Sequence, residues 1–147
     1  MFARYVDRVV SRSLHRIAGY ERLNLLSNRV IGAALRVHGE LGPGCWNRRM
    51  KHASPSSFWT RGSCVDRQMP VPLFYRGRRM ECGYRIDLLV NEELIVEVKA
   101  IERLEPVHSA QLRSHLKLSK RKLGLLINFN VRSLRDGIKR IVNGFPE

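Results

Sequence analysis

The chain has 147 residues, 44% hydrophobic and 27% charged, which suits one packed domain and excludes a disordered polymer. No apolar run approaches the ~20 residues that span a bilayer, and residues 1–20 lack the apolar core of a secretory leader, so the expectation is a soluble cytoplasmic protein with no membrane partner. The net charge of +14 points to a polyanion such as nucleic acid, while Cys45, Cys64 and Cys82 form no CxxC pair, against a zinc cluster or disulfide framework.

Residues 1–22 read as a basic N-terminal extension in which Phe2, Tyr5, Val6, Val9 and Val10 recur near helical spacing. Such a stretch fits a solvated helix packed on the domain, or a basic face for nucleic acid or an anionic surface. The domain proper spans 23–147. Leu26, Val30, Ala33, Ala34 and Val37 share one face of a predicted helix over Leu23–Leu41, which Gly42-Pro43-Gly44 stops. Residues 45–64 have no clean period, four cations and no acid, and form an aberrant basic segment.

Val71–Tyr75 is predicted as a strand, with Arg76-Gly77-Arg78 as its turn. Met80–Val90 and Glu93–Ala100 follow as strands around a hairpin turn at Asn91-Glu92. Val107–Leu118 reads as a helix and the apolar run Leu123–Phe129 as a central strand. Leu134–Val142 reads as a final helix before Asn143-Gly144. Arg76, Arg78 and Arg79 fit either backbone phosphate contacts or a solvated turn. His38, His108 and His115 fall on predicted helices without metal spacing, and a structural role is favoured for them. Gly42-Pro43-Gly44 lacks the Gly-Lys-Ser/Thr of a phosphate loop.

Glu97 and Lys99 are two residues apart on one strand and so share a face, with Val96, Val98 and Ala100 on the other. A tight hairpin brings Asp87 to the level of Glu97. Two carboxylates and an ammonium then converge, as hydrolysis of a phosphodiester requires. The acids hold a hard cation such as Mg²⁺ (or Mn²⁺), and the lysine offsets charge on phosphate oxygens. The same spacing also fits a solvated strand face with a weak ion pair.

Three stretches, VIGAALRVHGELGPG (30–44), VDRQMPVPLFYRGRRMECGYRIDLLVNEELIVEVKAIERLEPVHSAQLRSHLKL (65–118) and GLLINFNVRSLRDGIKRIVNG (124–144), resemble the GxxExxY proteins of the PD-(D/E)XK nuclease superfamily. The resemblance implies an α/β, restriction-endonuclease-like domain with a mixed central sheet flanked by helices. It assigns Asp87 and Glu97 as the motif acids and metal ligands, and Lys99 as the motif lysine. It places Gln111, on the following helix, facing the active site. The implied function is metal-dependent nuclease chemistry on DNA or RNA, the alternative being a non-catalytic nucleic-acid- or protein-binding relic.

The naming motif itself is missing: Asn47 and Met50 stand where a glutamate and a tyrosine should follow Gly44. Reading the last base of each codon with the first two of the next forces glutamate at Asn47 and Lys51, leucine at Trp46 and Trp59, and aspartate at Thr60. It permits tyrosine at Met50. Residues 45 to about 64 thus read as a frameshifted segment. The corrected frame removes Arg48, Arg49, Lys51 and Arg61 and lowers the net charge from +14 to about +7.

Overall fold

The computed structural model describes residues 2–44, 62–80 and 84–144, with side chains from Ser11 onward. The opening helix α1 runs Phe2–Leu41, through both the basic extension and the predicted helix, without a break. Gly42 ends it: at φ +79°, a backbone conformation glycine adopts without strain, its N–H donates to the His38 carbonyl at 2.8 Å. The predicted face is the buried one, with Leu26, Val30, Ala33, Ala34 and Val37 all in the core.

Five strands form the main sheet in the order β1 (Val65–Pro70), β4 (Arg85–Val90), β5 (Leu94–Lys99), β6 (Leu123–Asn128) and β7 (Ile138–Val142). Only β5 and β6 are parallel, joined through helix α2 (Pro106–Leu118); the other pairs are antiparallel. The sheet is therefore mixed and flanked by helices, as expected. Helix α1 packs on one face, with Leu88, Val90, Val96, Val98, Leu125 and Ile127. Helix α2 packs on the other, through Leu112 and Leu116 against Leu89, Ile95 and Leu126. Covering on both sides explains why β6 is buried at every position.

Strands β2 (Leu73–Tyr75) and β3 (Arg78–Met80) form a separate two-stranded ribbon. The single strand read over Met80–Val90 is thus divided between the ribbon and β4, with 81–83 outside the described residues. Pro70 and Pro72, which cannot donate to a ladder, fall where the chain leaves β1 for the ribbon. Strand β1 was not anticipated. The helix expected over Leu134–Val142 is a 3-10 turn, Leu134–Gly137, followed by β7. Leu134, Ile138 and Ile141 satisfy a helical period, but the open edge of β6 offers a ladder that a solvated helix would leave unpaired. In β7, Ile138 joins the α1-side core and Ile141 the α2-side core, an alternation of period two.

Candidate active site

The chain turns at Asn91-Glu92 as expected, both residues having positive φ (50° and 60°), but the loop takes in Glu93 as well, the first residue of the predicted strand. It sets the register Leu88↔Val96, Leu89↔Ile95 and Val90↔Leu94. One further step brings Asp87 level with Glu97, and there regular pairing stops. In its place the Asp87 side chain enters the ladder: Oδ2 accepts from the Val98 N–H at 2.9 Å, and Oδ1 from Gln68 Nε2 at 3.2 Å. Gln68, on the other neighbouring strand, has φ 48°. The half-buried Asp87 thus bridges the two strands beside it.

Glu97 is buried on the α2 side of β5, while Val96 and Val98 pack against α1, so the predicted division of faces is borne out. Ala100 differs, being exposed beyond the strand end. Glu97 Oε1 accepts from His115 Nδ1 on α2 at 2.8 Å, and both side chains are almost wholly enclosed. The pKa of Glu97 is raised, first by burial and also by the charge and hydrogen bonding of Asp87, against the opposing hydrogen bond from His115. The two acids therefore meet closely enough to perturb one another. Lys99 is half-buried one step further along the same face.

The end of β5 is pinned by β6. Buried Asn128 accepts from the Ile101 N–H through Oδ1 (3.1 Å) and donates to the Ile101 carbonyl through Nδ2 (2.8 Å), while the Phe129 N–H bonds the Lys99 carbonyl at 2.9 Å. Beyond lies an open cleft of about 620 Å³, lined by Ile101, Glu102, Arg103, Glu105 and His108. Gln111 sits on α2 one turn before His115 and is exposed. Gly44 is held against the same end, its N–H donating to the Phe129 carbonyl at 3.1 Å. Asn47, Met50 and the frameshift reading of 45 to about 64, apart from residues 62–64, lie outside the described residues.

Sequence reasoning missed the partners that hold the acids, Gln68, the Val98 N–H and above all His115. Its one available signal was that His115 falls between Leu112 and Leu116 on the apolar stripe of α2. His115 Nε2 is buried without a hydrogen-bond partner among the described residues, and Tyr84 meets the ring edge-on at 5.7 Å. The two other histidines weighed from the sequence make structural contacts: His38 Nε2 bonds the Val131 carbonyl, and His108 Nδ1 accepts the Glu105 N–H at the start of α2. Among the described residues no three His, Cys, Asp or Glu side chains converge as a metal cage.

Residues 24–141 match the family model of the PD-(D/E)XK nuclease superfamily. The chain belongs to that superfamily. The mixed sheet with helices on both faces agrees with the restriction-endonuclease-like fold. No curated protein and no solved structure matches the chain. Among the described residues, no helix is long and apolar enough to cross a membrane.

The donor set fits the divalent cation that superfamily nucleases generally use. Glu97 keeps one carboxylate oxygen outside its bond to His115, and each Asp87 oxygen has a lone pair beyond the bond it accepts from Gln68 or the Val98 N–H. Two acids without a full cage suit an ion that retains most of its water, as Mg²⁺ does. A cation between them would also relieve the mutual repulsion that helps raise the Glu97 pKa.

Proposed function

We propose that this protein hydrolyses phosphodiester bonds of DNA or RNA, with Asp87 and Glu97 holding Mg²⁺ or Mn²⁺. The observation that carries the reading is the meeting of these acids at the point where the β4–β5 ladder opens, with Glu97 raised in pKa. A divalent cation supplies Lewis acidity toward the scissile phosphate and activates water near neutral pH. The chain's own residues do the rest. The Val98 N–H and Gln68 fix the Asp87 carboxylate, and His115 fixes that of Glu97. Lys99 offsets charge developing on the phosphate oxygens, and Gln111 donates to the substrate from α2.

The test is cleavage of DNA and RNA with Mg²⁺ or Mn²⁺, parent against Lys99→Ala. Metal-dependent cleavage lost in the variant supports the reading; equal activity in both proteins removes it.

A second reading rests on Asn47 and Met50. We infer membership of the GxxExxY group within the superfamily and a frameshift over residues 45 to about 64, which deletes the group's glutamate and tyrosine. Gly44 is held beside Phe129, near Lys99, and the glutamate that the motif sets three residues on is the acid that the resemblance adds to the metal site. Without it the chain is a weakened enzyme or a non-catalytic binding relic. Sequencing the gene decides: a shifted frame that spells the motif supports the frameshift, and codons that do not spell it end the idea. Restoring the motif is then expected to raise Mn²⁺ affinity.

A further inference from the structure

The β2–β3 ribbon stands apart from the main sheet, yet it is rooted beside the candidate site. The Val71 N–H donates to the Tyr84 carbonyl at 2.9 Å, closing its base. Tyr84 touches His115, which bonds Glu97, and β4 carries Asp87 two residues beyond Arg85. A two-stranded hairpin is marginal by itself, and this one buries little: Phe74 is 64% exposed and Tyr75 59%.

Its composition is selective. Between Val71 and Met80 there are three arginines and no acid. The ladder pairs Phe74 with Arg79 and Tyr75 with Arg78. Because successive side chains alternate, each face of the ribbon presents one aromatic directly across from one cation. Arg76 also lies over the Tyr75 ring, 5.4 Å from its centroid. A solvated turn explains exposed arginines but not two exposed aromatics, each matched to an arginine, on a ribbon that covers no core among the described residues.

We propose that the β2–β3 ribbon is a grip for an unpaired nucleic-acid strand that passes round it, Phe74 stacking on a base and Arg79 contacting phosphate on one face, and Tyr75 and Arg78 doing the same on the other. The proposal rests on the nucleic-acid reading of the neighbouring site and names the substrate form it receives. Stacking requires unpaired bases, whose faces a duplex hides, while arginines on the same ladder rungs neutralise the backbone. The root near Asp87 and Glu97 leads a held strand toward the acids.

The test measures binding by the full chain, in EDTA, to labelled oligo-dT and oligo-U of twenty nucleotides, a duplex of equal length, and anionic lipid vesicles. Single strands are expected to bind more tightly than duplex or vesicles. Phe74→Ala and Tyr75→Ala should each weaken strand binding about 5- to 100-fold. Arg78→Gln and Arg79→Gln should each reduce the salt slope by about 0.7. All four side chains are exposed, so unchanged melting curves accompany a true binding loss. Full affinity in the aromatic variants, equal or tighter binding to duplex or vesicles, or no strand binding by the parent overturns the proposal. Strand binding without cleavage under any metal leaves the grip standing and removes the hydrolytic reading. Cleavage with parental binding in all the ribbon variants does the reverse.

Discussion

Replacing His115 by alanine isolates the buried pair on which the site is built. The imidazole is 1% exposed and the Glu97 carboxylate 5%. Removing the donor strands a nearly water-free carboxylate, and breaking a buried pair in this way costs about 3–5 kcal/mol. In a Glu97→Gln background the same substitution removes a neutral hydrogen bond, worth about 1 kcal/mol, besides the same packing loss. The coupling between the positions should therefore reach about 2 kcal/mol. Urea unfolding of the parent, both single variants and the double variant reads it. With a slope of about 1–3 kcal/mol per molar, His115→Ala should lower the midpoint by about 1–5 M. His115→Asn keeps an N–H near the Nδ1 position and should recover part of the loss. Additivity within about 0.5 kcal/mol, or a total loss below about 1 kcal/mol, would refute the pairing.

Glu97 also predicts a pH dependence. Its folded pKa is raised above the ordinary 4.5, so the native state holds its proton more tightly than the unfolded chain. Stability from this residue is then greatest below about 4.5 and falls as pH rises through the folded pKa. Glu97→Gln should lack that component, so its stability relative to the parent should improve as pH rises across the window. Parallel stability–pH curves would contradict the burial argument. Isothermal titration of the parent with Mn²⁺ should show binding that Asp87→Asn weakens at least about tenfold, in line with the loss of a ligating carboxylate. A Cβ on Gly124 would meet Leu112 Cδ1 at 2.8 Å. Gly124→Ala should therefore cost about 1–3 kcal/mol, with partial rescue by Leu112→Val in the same thermal melts. At Gly137 the added carbon would lie 2.4 Å from the Asn128 carbonyl oxygen, and backbone yields less than a leucine tip. Gly137→Ala should be the more damaging of the two and should loosen the Asn128 contacts that hold the end of β5.

What the sequence determined by itself was whatever local periodicity and turn chemistry control. The apolar stripe of α1, the stop at Gly42, the nearly all-apolar β6 and the turn at Asn91-Glu92 follow from nearest-neighbour rules. The third loop residue, Glu93, expected from the sequence to lie in the strand, shifts the register by one and sets Asp87 level with Glu97. Tertiary structure decided what depended on distant partners. Leu134–Val142 satisfies a helical spacing, but the open edge of β6 drew Ile138–Val142 into the sheet. His115, an unremarkable helical histidine by spacing, became the donor that holds Glu97 because α2 packs on the sheet face to which Glu97 points. Gln68 reached Asp87 only because β1 and β5 flank the same strand. Periodicity records which face of an element is apolar; it carries no record of what the fold sets against that face, and buried polar groups find their partners across that gap.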